Sequence, residues 1–319
     1  MAERIMSFNV QSSSVSHSNL QAFSPSEALR ALPAGGAAPA PTGSYRLEPG
    51  YHPQLGALFA AGGNAANATS FDAQVRGQDA KSIDLELMQI SAAVYDPAVQ
   101  QVGNWTRVGD GDLMAAGIDP ALLDNPETGF RAGIYTDGDG NHVLAFAGSN
   151  ELKDWTGANF RQGVGWDSEQ YDEAVQLAQL ASAAYGEDLA ITGHSLGGGL
   201  AATAAMAVDG AAVTFNASGV HDRTVAALGL DPEAAKADAA AGQIRRYNVE
   251  GEALTKAQQD IWGINNIPDA PGHEIVLDDP APLTGFDRFN PVSIVSHSIA
   301  KHMQDAVLDA LAQQQPWTH

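Results

Sequence analysis

Apolar residues alternate along the chain between a helical spacing and a strand spacing. The helical spacing predicts helices from Lys81 to about Asp96, over 169–185, from Leu196 to about Ala207, after Asp231-Pro232, and over 299–311. Short apolar or alternating runs predict strands over 130–135, 142–146, 189–192, 211–215 and 244–249. Since strands and helices alternate, the predicted fold is a mainly parallel sheet with helices on both faces.

Residues 1–80 differ in composition from the rest of the chain. They are rich in Ser, Ala, Gly and Pro, as in the run Ala34–Pro41, and contain few large apolar side chains. Such a segment buries too little surface to offset the entropy lost on ordering. We therefore predict a flexible, largely disordered N-terminal segment over 1–80 and a folded domain over 81–319.

The charge balance limits the partners that the surface can attract. There are 16 Lys and Arg residues against 38 Asp and Glu, a formal net charge of −22. Such a surface repels phosphate backbones, so nucleic acid is not an expected partner. It also weakens attraction to anionic membranes, so transient contact with a lipid surface would depend on apolar groups.

Two further observations restrict the chemistry and the location. The chain has no Cys, which excludes thiol catalysis, disulfides and cysteine-ligated zinc. No apolar run approaches the roughly 20 residues of a membrane-spanning helix, and no cleaved secretory signal is visible at the N-terminus. The acidic run Asp137–Asn141 has His142 where a calcium-binding loop needs Gly, so it is predicted to be a hairpin turn and no metal site is expected.

The strongest chemical signal is Gly193-His-Ser195-Leu-Gly197, a G-x-S-x-G motif between a predicted strand and a predicted helix. In this context the serine stands exposed on a tight turn at the carboxyl edge of the sheet. The following helix directs its first amides toward developing negative charge. Ser195 is therefore the candidate nucleophile and the amide of Leu196 a candidate oxyanion donor, with His194 packed behind the turn.

Three stretches of the sequence are informative together: the elbow Gly193–Ala201, the segment Phe146-Ala-Gly-Ser149 followed by Asp154-Trp155 and Asn159, and the helix Ser91–Asp96. They resemble the class 3 lipase-like branch of the α/β-hydrolases, especially bacterial phospholipase A1-type enzymes. The resemblance covers about residues 81–311 and implies an α/β-hydrolase fold. It also implies that Ser149 supplies a second oxyanion donor and that no cofactor is required.

The remaining triad members follow the chain order Ser, acid, His. Glu252 aligns with the acid of the family, where Asp is usual, and Glu250 and Asp260 remain alternatives because the longer side chain shifts the geometry. His302 resembles the family's histidine and is expected in the first turns of the last helix, capped by Ser298. His297 is the alternative base.

Apolar residues in the loops 254–275 and 283–295 flank the predicted acid and base, which suggests a lid or an acyl groove. The predicted function is hydrolysis of lipid carboxylic esters through an acyl-enzyme, of the phospholipase A1 type. A general esterase or triacylglycerol lipase and a catalytically silent binding or effector protein are the alternatives. The N-terminal segment suggests contact with secretion machinery or a chaperone, hence secretion without a cleaved signal; a cytoplasmic enzyme is the alternative.

Overall fold

A nine-stranded sheet forms the centre of the computed structural model, which describes residues 69–148, 168–255 and 268–318. The strands are β1 (Gln101–Val102), β2 (Trp105–Arg107), β3 (Asp124–Asn125), β4 (Phe130–Thr136), β5 (His142–Phe146), β6 (Leu189–His194), β7 (Ala211–Phe215), β8 (Ile244–Val249) and β9 (His273–Leu277). In space they follow the order β1-β2-β4-β5-β6-β7-β8-β9, and β3 pairs with β4.

The sheet has an antiparallel part and a parallel part. From β1 to β5 neighbouring strands are antiparallel, and β4 and β5 form the predicted hairpin around 137–141. From β5 to β9 all neighbours are parallel and follow chain order. The parallel sheet is thus confirmed for β5 to β9, whereas β4, the longest strand, is antiparallel to β5, and β1 to β3 are short additions that the apolar pattern does not reveal.

Helices cover both faces of the sheet, as predicted. They are α1 (Phe71–Val75), α2 (Ile83–Ala93), α3 (Asp110–Ala115), α4 (Ser168–Tyr185), α5 (Leu196–Val208), α6 (Asp222–Ala227), α7 (Pro232–Asp238), α8 (Pro291–His302) and α9 (Gln304–Gln314). Leu144 and Phe146 pack on α4 and α5, whereas Val143 and Ala145 pack on the other side with α1, α2 and α9. This alternation along β5 is the two-residue period of a strand that is buried on both faces.

Helix α1 lies within the stretch that the sequence analysis assigned to the flexible N-terminal segment. The aromatic ring of Phe71 is buried against the core, and the Asp72 carboxylate accepts from the amide of Ala211 at 2.5 Å. The buried guanidinium of Arg245 donates to the carbonyl oxygens of Val75 and Gly77. Residues 69–80 therefore pack with the sheet, because they carry apolar and charged groups that it binds; residues 1–68 lie outside the described part of the chain.

The predicted single helix over 299–311 is wrong in one respect. Met303 has extended backbone angles (φ −67°, ψ 154°), so the chain breaks there into α8 and α9. His302 is consequently the last residue of α8 and not part of the first turns of a closing helix. Ser298 does not cap a helix; it lies inside α8 and its hydroxyl donates to the carbonyl oxygen of Gly251 at 2.9 Å.

Parallel strands place their carboxyl ends at one edge of the sheet. His194 at the end of β6 pairs with Phe215 at the end of β7, and Phe215 pairs with Tyr247 near the end of β8. The residues that directly follow these three strands are therefore brought to the same edge. No helix among the described residues is long and apolar enough to cross a bilayer.

Candidate active site

Ser195 stands at the turn between β6 and α5 in a strained backbone conformation. Its φ of 60° and ψ of −126° are unfavourable for a residue with a side chain. The turn closes only because two neighbours lack a Cβ: a Cβ on Gly193 would collide with the carbonyl oxygen of Gly197, and one on Gly197 with that of Phe146. The predicted strand, tight turn and helix are thus present, with Ser195 directly after the strand.

Ser195, His302 and Glu252 form one line of hydrogen bonds. The Ser195 Oγ lies 2.9 Å from Nε2 of His302, and His302 Nδ1 lies 2.7 Å from Oε2 of Glu252. All three side chains are buried, with relative exposures of 3%, 1% and 0%. A carboxylate at Nδ1 favours the tautomer of the imidazole that carries its proton on Nδ1, and in that tautomer Nε2 accepts from the serine hydroxyl.

The Glu252 carboxylate is held by the chain that follows it. Its two oxygens accept from the amides of Leu254, at 2.7 Å, and of Thr255. Burial by itself would raise the pKa of Glu252, but the charge of His302 and the hydrogen bonds from His302 and Thr255 outweigh it, so the pKa lies below its usual range. The group is therefore ionised at neutral pH and oriented toward the imidazole.

The alternative residues lie elsewhere or outside the described chain. The side chain of Glu250 is exposed, and the main-chain carbonyl oxygen of this residue accepts from the ammonium group of Lys301. His297 lies one turn before His302 on α8, and its Nε2 pairs with the Asp279 carboxylate at 2.6 Å. Asp260 is outside the described residues. Of the described candidates, the geometry brings only His302 and Glu252 into line with Ser195.

Two side chains outside the predicted triad and oxyanion residues hold the C-terminal end of α8. Asn216 directly follows β7 and has a left-handed backbone (φ 42°); its amide donates to the carbonyl oxygens of Lys301, at 3.0 Å, and of His302, at 3.2 Å. Its Oδ1 accepts from the amide of Val249 at 3.0 Å. Asn216 thereby joins the helix that carries His302 to the strand that leads to Glu252. Its position directly after a strand at the carboxyl edge is the sequence signal that could have identified it.

His194 makes the corresponding contact from the nucleophile side. Its Nε2 donates to the carbonyl oxygen of His302 at 2.7 Å, and its Nδ1 lies 3.4 Å from the hydroxyl of Tyr95. Burial, with the charge of His302, lowers the pKa of His194 to about 3, so the ring is neutral near pH 7. The expectation that His194 packs behind the turn is confirmed.

The described part of the candidate oxyanion site is the start of α5. Leu196 is the first residue of that helix, so its amide has no acceptor within the helix. Gly148 lies against it: a Cβ on Gly148 would be 3.3 Å from the nitrogen of Leu196. Ser149, the predicted second donor, is the next residue of the chain and lies outside the described residues.

The parallel strands β5 to β9, the helices on both faces and the strained serine after β6 define an α/β-hydrolase. Residues 86–276 match the model of a phospholipase-like family, the Tle-like phospholipase domain. The chain belongs to this family, and the enzyme is a lipid ester hydrolase. This confirms the resemblance to bacterial phospholipase A1-type enzymes.

Individual relatives agree to different degrees. The extracellular phospholipase A1 of Serratia liquefaciens is 45% identical over 263 residues, which are 82% of this chain and 80% of that protein. A hyperthermophilic esterase from the archaeon Pyrobaculum calidifontis is similar over 72% of this chain and 90% of its own, with 13% identity and a TM-score of 0.28. At that level the second likeness carries no argument about either fold or function.

Proposed function

We propose that this enzyme is a phospholipase A1 that uses Ser195 as nucleophile, His302 as general base and acid, and Glu252 as the orienting carboxylate. The observation that carries the proposal is the buried line from Ser195 Oγ through His302 to Glu252, with distances of 2.9 and 2.7 Å. The relative from Serratia liquefaciens, named a phospholipase A1, supports the choice of substrate.

In the first half of the reaction, His302 Nε2 takes the proton of Ser195 while Oγ attacks the ester carbonyl. The imidazolium that forms faces the Glu252 carboxylate, whose lowered pKa keeps it charged and able to stabilise the ion. The amide of Leu196 donates to the oxyanion, and we assign the second donor to Ser149. His302 then protonates the leaving alcohol, which departs as a lysophospholipid.

In the second half, water replaces the alcohol. His302 accepts a proton from this water, the resulting hydroxide attacks the acyl carbon, and the proton returns to Ser195 as the fatty acid is released. Each step needs the ring nitrogen of His302 at a constant distance from Oγ. The hydrogen bonds from Asn216 and His194 to the carbonyl oxygen of His302 supply that constraint.

The test is product analysis on phosphatidylcholine that carries different acyl chains at sn-1 and sn-2. Wild type should release the sn-1 fatty acid and leave the sn-2 lysophospholipid, and Ser195→Ala should release neither. Release of the sn-2 chain would contradict the A1 assignment. Turnover of soluble esters or triacylglycerol without attack on phospholipid would make the enzyme a general esterase or a lipase.

A fluorophosphonate probe separates an active enzyme from a silent binding protein. Stoichiometric labelling of wild type at Ser195, and none of Ser195→Ala, is the expected result. A folded wild-type protein that does not react would contradict the assignment of Ser195 as an activated nucleophile, whatever lipid is supplied.

We further propose that the enzyme is secreted without a cleaved signal peptide and that residues 1–68 contact the export machinery. The name of the Serratia liquefaciens relative, an extracellular enzyme, supports secretion, and the Ser-rich composition of the segment fits such a role. Deletion of residues 1–68 should abolish release into the medium while the cell lysate keeps its esterase activity. Unchanged release would contradict the role of the segment.

A further inference from the structure

Exposed apolar side chains are concentrated in one short stretch before the base. Among the described residues, seven large hydrophobic side chains are classed as exposed, and five of them fall within residues 286–295. These five, which we call the apolar patch, are Phe286, Phe289, Val292, Ile294 and Val295, with exposures of 93%, 72%, 72%, 40% and 58%. Large apolar side chains that are exposed together in one short stretch, and not singly, are typical of an interaction surface.

The charge around the patch differs from that of the rest of the protein. Within residues 286–295 the charged residues are Asp287 and Arg288, whose charges cancel, and from Arg288 to Gln304 the chain contains no Asp or Glu, although the whole chain has 38 of them and a net charge of −22. The guanidinium of Arg288 lies 5.1 Å from the ring centre of Phe289. An exposed cation beside exposed aromatic rings matches a phospholipid surface, whose phosphates lie directly above its acyl chains.

The helix geometry places the patch next to the chemistry. Val295 and His302 are seven residues apart on α8, so they lie on the same side of the helix, about 10 Å apart along its axis. The helix is exposed at its start and buried at its end, where Ser298, Lys301 and His302 are in the core. Val295 thus connects the patch to the base along one face of the helix.

We propose that the apolar patch is the surface by which the enzyme docks on a phospholipid bilayer, an inference that rests on the proposed lipid-hydrolase function. Phe286 and Phe289 insert among the acyl chains, and Arg288 pairs with lipid phosphates at the same depth. Val292 and Val295 extend the contact along α8, so that the ester groups of the outer leaflet face the side of the helix that carries His302.

The test uses two pairs of substitutions in a Ser195→Ala background, so that the vesicles are not consumed. Sedimentation with phosphatidylcholine vesicles measures the bound fraction. Phe286→Ser with Phe289→Ser should weaken binding at least tenfold, because two large apolar side chains no longer leave water. Met114→Ser with Val276→Ser is the matched control, since these are the other two exposed large hydrophobic residues in the described part of the chain, and binding should not change.

The same pairs, with Ser195 restored, give the kinetic readout. The variant with both Phe substitutions should hydrolyse vesicles more slowly, in proportion to its weaker binding. Its rate on a water-soluble ester should stay within about twofold of wild type, because the substitutions remove only the free energy gained when the two Phe side chains move from water into the bilayer. Equal binding by the Phe pair and wild type would overturn the proposal. A wild-type dimer that the Phe substitutions convert to a monomer, without vesicle binding, would show a subunit interface and also overturn it.

Failure of the docking proposal and failure of the proposed function give different results. Vesicle binding that depends on the Phe pair, without release of fatty acid from any phospholipid, contradicts the phospholipase assignment and leaves the docking surface in place. Hydrolysis of vesicles that is insensitive to the Phe pair contradicts the docking surface alone.

Discussion

The side-chain amide of Asn216 donates a hydrogen bond to the main-chain carbonyl oxygen of His302 at 3.2 Å. The last carbonyl groups of a helix have no hydrogen-bond donors within the helix. At the end of α8 the side chains of Asn216 and His194 act as the donors. The side chain that anchors the end of α8 also binds Val249, three residues before Glu252. One buried amide therefore relates the position of the base to that of the acid.

Asn216→Ala should lower kcat by about tenfold to a hundredfold and leave KM within about twofold, because a misplaced base affects the transition state more than ground-state binding. Asn216→Asp keeps the acceptor for Val249 but cannot donate, so it should show the same loss of kcat. Steady-state kinetics and the rate of fluorophosphonate labelling measure both. Asn125→Ala, which removes a remote hydrogen bond to Glu173, is the control; an equal loss there would indicate a general folding effect.

Substitution of the two histidines of α8 should give opposite results. His302→Gln removes the group that exchanges protons with Ser195, so turnover of a soluble ester should fall by roughly 10⁴-fold or more. His297→Gln breaks only the contact with Asp279 and should stay within about threefold of wild type. A large loss for His297→Gln with full activity of His302→Gln would reverse the assignment of the base.

Substitution of the two glutamates that follow β8 should also have different effects on kcat. Glu252→Gln removes the charge that faces the imidazolium and is expected to lower kcat by about 10²- to 10⁴-fold. Glu250→Gln alters an exposed side chain and should change kcat by less than about twofold. Both are measured on the same soluble ester. Comparable losses would mean that the carboxylate at 250 shares the role of the acid.

His194 makes folding stability depend on pH. Its pKa is about 3 in the native state against an ordinary value near 6.5, so between these values the unfolded chain binds the extra proton and stability falls as pH falls. Between pH 6.5 and 4.5 the free energy of unfolding should drop by about 2 kcal/mol from this group. Urea titrations of His194→Gln, which can still donate to His302, should show a flatter pH dependence; equal slopes would contradict the buried neutral ring.

The buried ion pair between Asp84 and Arg245 should contribute more to the free energy of unfolding than the exposed pair between Asp209 and Arg76. Asp84 binds Arg245 at 2.6 Å and accepts from the hydroxyl of Tyr247 at 2.6 Å, all within the core. Asp84→Ala leaves a buried guanidinium without its counter-ion and should cost about 3–5 kcal/mol in the free energy of unfolding. Asp209→Ala removes the exposed partner of Arg76 and should cost less than about 1 kcal/mol. Equal costs would contradict this distinction.

The parts of the fold that depend on local pattern could be predicted from the sequence. The strand that precedes Ser195 and the elbow itself follow from a short apolar run and from glycines whose neighbours leave no space for a Cβ. The break at Met303 could not be predicted, because apolar residues at 299, 303, 307 and 311 keep one helical spacing through both helices.

The contacts that complete the site depend on long-range pairing. Asn216 binds residues that are 85 and 86 positions away, and His194 binds one that is 108 positions away. The spacing of residue types along the chain does not predict such pairs, because they follow from the parallel register of β6, β7 and β8. The order of the triad along the chain leaves Glu250, Asp260 and His297 open as well, and Glu252 and His302 are preferred because they resemble the acid and the histidine of the family.

Since the base and the part of the apolar patch at Val292, Ile294 and Val295 belong to the same continuous helix, the number of residues between them sets their relative direction. Inserting one residue between Val295 and His302 would rotate the patch by about 100° around the helix axis and turn it away from the side that carries the imidazole. Substitutions within the patch change its hydrophobicity but not its direction relative to the imidazole. In homologous sequences the length of this interval should therefore vary less than the identity of the residues within it.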